Sequence, residues 1–210
     1  MGKYKASRRF LSIVITSFPE KYLLFSAKYA FSVAPKPKAF YNRAERTGCA
    51  LFDINLIAMG KLKDKFYISA ASEYEKRVGA YCRFQLLELP EHRLPEDPSP
   101  AEISAGLEKE ADLILSKIPK GAWFCVFTPE GKLLSSEALA GKISEVKLSG
   151  KSSACFLIGS SFGMAPRVKA RADFKLSKSP MTFPHHLARI KILEHLNRSE
   201  AIQAGSKYHK

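Results

Sequence analysis

Hydrophobic positions change their period at regular intervals from residue 53 onward. Residues 54–59 are a short apolar run interrupted only by Asn55 and closed by Gly60, which predicts a buried strand. From 65 to 78 the apolar residues Phe66, Ala70, Tyr74 and Val78 fall four apart, the spacing of one helix face. Residues 84–89 alternate and stop at Pro90, predicting a second strand, and Pro95, Pro98 and Pro100 make 92–100 a loop. Ser99 or Ser104 is placed to cap a helix carrying Leu107, Ala111, Ile114 and Leu115 ahead of Pro119.

Residues 122–127 are continuously apolar and read as a third buried strand, ended by the turn Thr128-Pro129-Glu130-Gly131. Ser135 or Ser136 starts a helix whose apolar face is Leu139, Ile143 and Val146. Residues 154–158 make a fourth strand leading into Gly159-Ser160-Ser161-Phe162-Gly163, and residues 173–177 a fifth. Pro184 suits the first turn of a last helix. Strands alternating with helices predict an α/β domain over residues 53–210, built on a mainly parallel sheet with helices on both faces.

Charge changes the picture at one end. Residues 1–52 carry ten Lys and Arg but only Glu20 and Glu45, a net +8 that leaves +6 of the chain's +14 for the other 158 residues. Ala-Pro-Lys-Pro-Lys at 34–38 resists helix and strand alike. This segment is expected to be a basic, poorly ordered extension, or the product of an upstream start. Its scarcity of acids also suits an organellar transit peptide, whereas a secretory signal would need a small-residue cleavage site after an apolar core. The cytoplasm is the expected location, since no apolar run approaches the ~20 residues that span a bilayer. Cys49, Cys82, Cys125 and Cys155 form no Cys-x-x-Cys pair, so neither a metal site nor a disulfide framework is expected. The basic excess favours a polyanionic partner, nucleic acid ahead of an anionic membrane.

Ligands of open α/β sheets collect beyond the carboxyl ends of the strands. Three such segments carry chemistry: 127–131 after strand three, 159–163 after strand four, and 176–183 after strand five. The Gly-x-x-x-Gly of the second matches neither the dinucleotide fingerprint nor the phosphate loop. The third offers Ser177, Ser179 and Thr182 as hydroxyls, with Pro180 and Pro184 holding the backbone extended. His185 and Arg189 follow one turn apart, and Glu194 and Arg198 share that spacing as a helix-stabilising pair. The chain closes on Tyr208-His209-Lys210, a phenol, an imidazole and an ammonium.

Several separated motifs, in order, resemble the bacterial 23S ribosomal RNA large-subunit pseudouridine-N3 methyltransferases of the SPOUT superfamily. They are Ile57-Ala58-Met59-Gly60-Lys61-Leu62-Lys63, Glu73-Tyr74-Glu75-Lys76-Arg77, Gly131-Lys132-Leu133-Leu134-Ser135-Ser136, the Gly159 loop, Met181-Thr182-Phe183-Pro184-His185, Leu187-x-Arg189 and Tyr208-His209-Lys210. The resemblance covers residues 53–210.

It implies a C-terminal trefoil knot, a homodimer, and S-adenosylmethionine held in the knot by Phe127, Gly159, Lys178, Ser179, Pro180, Met181, Thr182 and Phe183. The implied partner is large-subunit ribosomal RNA, free or in assembled ribosomes, methylated at N3 of a pseudouridine. N3 is a weak acid, so transfer needs its proton removed or the developing anion stabilised. His209 and His185 are the implied proton acceptors, with His209 preferred. Arg189 and Arg198 would stabilise charge or hold phosphates, and Tyr208 would stack on the base or orient the tail. Phe127, Thr128, Ser160 and Asn197 stand where the family usually has Leu, an acid, Gly and Tyr. The competing expectation is an RNA-binding or ribosome-associated protein that keeps the knot without turnover.

Overall fold

The structure, a computed structural model, describes residues 52–179 and 183–206. The basic segment 1–51, the loop residues Pro180, Met181 and Thr182, and the terminal Tyr208, His209 and Lys210 lie outside the described residues. Among those described, five strands alternate with five helices. They are β1 (Asp53–Met59), α1 (Lys65–Gly79), β2 (Arg83–Leu89), α2 (Pro100–Lys117), β3 (Trp123–Leu133), α3 (Ser136–Leu148), β4 (Ser153–Ile158), α4 (Pro166–Arg171), β5 (Phe174–Ser177) and α5 (His185–Gln203). Phe52, assigned to the extension by composition, packs against the core.

The strands form one sheet in the order β2-β1-β4-β3-β5, and every pair in it is parallel. β4 is buried at all six positions and β3 over its first six residues. Strands covered on both faces read as continuous apolar runs, which is why these two show no alternation in sequence. Alternate side chains supply two cores. Leu56, Cys125 and Phe156 face α1, α3 and α5 through Val78, Ile143, Ile192, Leu193 and Leu196. Ile57, Phe124, Val126 and Leu157 face α2 and α4 through Ile114 and Val168. Burial pushes the thiols of Cys82 and Cys155 up to about 12 and that of Cys125 higher, so all three are inert packing groups at neutral pH.

Local chemistry fixes the helix starts. Ser99 caps α2 in a full capping box with Glu102, and Ser135 caps α3 by accepting from the Ala138 amide. Pro184 stands as the residue before α5 rather than inside its first turn. The short helix α4 has no counterpart in the periodicity, because six residues are too few to establish a period.

Strand three does not end at Phe127 as its sequence suggests. β3 pairs with β5 through Phe127 and Leu176, leaves the ladder over residues 128–131, and pairs with Leu176 again through Lys132. The return depends on Gly131, since a Cβ there would sit 2.5 Å from the Leu176 carbonyl carbon. Asp173 fixes the other end of the pair, its amide donating to the Phe124 carbonyl at 2.8 Å and its carboxylate accepting from the Phe124 amide at 2.7 Å.

Gly131→Ala is therefore expected to lower the free energy of unfolding by about 1–3 kcal/mol through backbone displacement. Gly141→Ala, in α3 with open space at its Cβ, should be neutral or stabilising by about 1 kcal/mol. Urea midpoints at unchanged slope measure both.

Candidate functional site

The carboxyl ends of β3 and β5, the start of α3 and the middle of α5 enclose a cavity of about 40 Å³. Its walls are the apolar side chains of Phe127, Leu134, Leu139 and Leu176, and its polar lining is Ser135, Ser136, Ser177, Lys178 and His195. Phe127 is held flat by stacking on Phe156, centroids 6.0 Å apart. Flat apolar walls with a few hydroxyls and a cation suit a nucleoside carrying a charged tail. A larger hollow of about 500 Å³ runs along α1 from Lys65 to Lys76, but residues of that helix alone line it, so no groups converge there.

Of the residues singled out in the sequence, Phe127 and Lys178 meet in the cavity. Ser179 adjoins them, its carbonyl accepting from the Ser177 hydroxyl at 3.4 Å. Burial and the nearby Lys191 hold the Lys178 ammonium below its ordinary pKa. Lys191 donates to the Lys178 carbonyl at 3.4 Å and sits 4.2 Å from the centre of the Phe183 ring. One lysine of α5 thus ties both described ends of the 178–183 segment.

Gly159 is absent from the cavity lining. A Cβ at this position would lie 2.5 Å from the Gly163 carbonyl oxygen and 3.2 Å from the Met164 methyl, so the glycine makes room for its own loop. Ser160 and Gly163 close that loop with reciprocal amide–carbonyl bonds of 2.9 Å, and the Ser160 hydroxyl adds a bond to the same carbonyl at 3.3 Å. A serine fits this turn without strain. Thr128, also buried, bonds to Glu130. The Lys169 ammonium, with help from that hydroxyl, lowers the Glu130 carboxyl to about 2.

His185 and Arg189 stand over the other side of the sheet. Arg189 is buried, with its guanidinium on the Glu88 carboxylate and the carbonyls of Gly60 at 2.8 Å and Met59 at 3.2 Å. Glu88 also accepts from the Leu62 amide at 3.3 Å. This clamp joins the first turn of α5 to the carboxyl ends of β1 and β2, so in the single chain the guanidinium faces inward. Glu75 of α1 lies close enough that burial and the Glu88 charge raise its carboxyl, against the pull of Arg189.

Burial lowers the pKa of His185, with Lys178, His186 and Arg189 adding to the shift and Glu91 opposing it. Its Nδ1 is buried without a partner among the described residues. Arg198 bonds through Nε to Glu194 at 2.9 Å, the helix pair its spacing predicts. The sequence reading passed over His195 and Lys191, which look like ordinary members of an amphipathic helix until α5 is placed beside the ends of β3 and β5.

Among the described residues no cluster of His, Cys, Asp and Glu could hold a metal ion, and no helix is long and apolar enough to cross a membrane. The fold and cavity define an α/β protein with a nucleoside-sized, cation-rimmed hollow beyond its strand ends. Residues 52–209 match the family model described as predicted SPOUT methyltransferase, and the chain belongs to that methyltransferase family. Over 158 residues, 75% of this chain, it is 42% identical to the "Putative ribosomal RNA large subunit methyltransferase H" of Methanococcus maripaludis strain C5. Over the same length it is 39% identical to the ribosomal RNA large subunit methyltransferase H of Clostridioides difficile strain 630, and each match covers 99% of the relative. Among solved structures, the tRNA (m1G37) methyltransferase of Aquifex aeolicus overlays with a TM-score of 0.43 at 15% identity, over 70% of this chain and 69% of that one. That overlap is too loose to bear on chemistry.

Arg189→Met should cost about 3 kcal/mol of stability, because it strands Glu88 and removes the tie to two strand ends. A double-mutant cycle with Glu88→Gln should return a coupling energy of about 1–3 kcal/mol, read from denaturant midpoints.

Proposed function

We propose that the chain transfers a methyl group from S-adenosylmethionine to N3 of a pseudouridine in large-subunit ribosomal RNA. The observation that carries this is the match along residues 52–209 to a methyltransferase family whose relatives are named for large-subunit ribosomal RNA. The cavity supports it, because Phe127 and Lys178, two of the implied cofactor residues, converge there with apolar walls that suit an adenine.

In this reading Phe127, Leu134 and Leu139 would pack the base, and Ser135, Ser136 and Lys178 would meet the ribose and the charged tail. Gly159 would shape the neighbouring loop, and Ser179, Pro180, Met181, Thr182 and Phe183 would close over the ligand. The cofactor supplies an electrophilic methyl on a sulfonium, and the chain's part is to hold it in line with N3 and manage the N3 proton. His209 would take that proton, with Tyr208 on the base. His185, kept neutral by burial, is the alternative acceptor. Arg189 would act by fixing the first turn of α5, and Arg198 by meeting RNA phosphate at the surface. A trefoil knot at residues 127–183 is the topology this family membership supports, with the Gly131–Leu176 crossing at its tightest point.

Partnership with a second copy is part of the same proposal. Phe66, Ile68 and Leu187 are large apolar side chains left exposed near the packed rings of Tyr67 and His186, 5.4 Å apart. Such a patch on α1 and α5 suits a self-complementary interface.

Calorimetry is expected to show S-adenosylmethionine binding to the full chain. No binding at high micromolar ligand would reject the methyltransferase reading in favour of an RNA-binding protein. Methyl transfer to 70S ribosomes compared with free RNA then identifies the substrate form. Deleting Tyr208 to Lys210 should abolish transfer while leaving cofactor binding within about threefold, a difference of under 1 kcal/mol. Light scattering should give twice the chain mass of 23.4 kDa, falling to the single-chain mass in Phe66→Asp/Leu187→Glu.

A further inference from the structure

The cavity's polar lining is uneven in what it can accept and donate. Lys178 only donates, and the serine hydroxyls do both. Two of those serines are already engaged, Ser135 accepting from the Ala138 amide at 3.2 Å and Ser177 donating to the Ser179 carbonyl at 3.4 Å. His195 is the one lining side chain able to accept without donating at the same atom, provided its proton sits on the other nitrogen.

The geometry favours that tautomer. Nδ1 of His195 lies 3.3 Å from Oε2 of Glu194, while Oε1 of Glu194 takes the Arg198 Nε at 2.9 Å. Glu194 is thereby held through both oxygens, and a carboxylate facing Nδ1 draws the proton to that side of the ring. Nε2 is left as a bare acceptor on an oriented imidazole.

We infer that His195 reads the base edge of the bound nucleoside, its Nε2 accepting a hydrogen bond from an exocyclic amine and so selecting a 6-aminopurine over a 6-oxopurine. This rests on the cavity being the S-adenosylmethionine site. A 6-oxopurine would turn a carbonyl oxygen toward the same lone pair. A site arranged to pair with one donor rejects the analogue that lacks it.

The charge environment sets the pH range over which this holds. Glu194, Lys191 and Arg198 face the ring from α5 itself, and Lys178 lines the same cavity from the end of β5. The lining contributed by β3, α3 and the link between them carries no charge. Burial holds His195 below its ordinary value, Lys191 and Arg198 add to this and Glu194 opposes it, so the ring is neutral at pH 7. As pH falls through the depressed pKa, Nε2 gains a proton and becomes a donor. Preference for the amine is therefore present at neutral pH and lost on acidification.

The test is calorimetric titration of the full chain with S-adenosylhomocysteine and with S-inosylhomocysteine, its 6-oxo analogue. The wild-type chain should prefer the adenosyl ligand at pH 7.5 by at least ~10-fold, as expected for one well-placed polar contact. The preference should shrink at pH 5, and His195→Leu should reduce it to under ~3-fold. His195→Gln, whose amide can turn either way, should keep part of the preference and lose its pH dependence.

A wild-type chain that binds neither ligand overturns the cofactor reading itself. Binding with the preference unchanged in His195→Leu overturns the role of His195 and leaves the cofactor reading standing. Thermal melts verify that each variant is folded. If the leucine variant is not, the wild-type pH series decides, and a preference unchanged between pH 7.5 and 5 overturns the inference.

Discussion

Leu176 meets β3 twice, once through Phe127 and once through Lys132, and between these meetings four residues leave the sheet and return. The backbone at Gly131 then presses so closely on Leu176 that no side chain fits between them. Without that approach the edge of β3 would be unpaired beyond Phe127, and Leu134, Ser135 and the start of α3 would have no fixed relation to Lys178. The cavity is a by-product of this crossing, since its walls come from chain segments on either side of it.

The second constraint is electrostatic and acts at both ends of α5. Arg189 holds the first turn to β1 and β2, while near the last turn Glu200 is buried against Lys147 of α3, with Gln203 joining at 2.9 Å. Buried ion pairs add little net stability because desolvation offsets the attraction, but breaking one leaves a costly orphan charge. They specify position. The stabilising free energy comes instead from Ile192, Leu193 and Leu196, each worth about 1.5–3 kcal/mol when fully buried.

Most of the architecture is legible in the sequence because its elements are long enough to show a period or dry enough to show an apolar run. Residues 54–59, 84–89 and 154–158 lie within strands extended by a single residue at most, and Ser99 and Ser135 emerge as the caps. What escapes depends on the fold. The excursion at 128–131 looks like the end of a strand because the returning partner, Leu176, is more than forty residues away. Arg189 and Glu88 both read as surface charges, and only the packing of α5 against the sheet makes them a buried pair. Phe127 and Lys178 are brought together as expected, whereas Gly159 serves its own loop. The residues that carry the resemblance at 180–182 and 208–210 lie outside the described residues.

Sheet order has a kinetic meaning as well. β1 forms the middle of the sheet and is made first, but the outer partner of β3 is β5, and the cover for β1, β3 and β4 on one face includes α5, the last described helix. A chain folding as it is synthesised therefore carries an unpaired β3 edge and an uncovered apolar face until nearly all of it has been made. Contacts so distant in sequence close slowly, and exposed edges invite pairing with other chains in the interval. The last strand and helix decide when this protein becomes safe from aggregation.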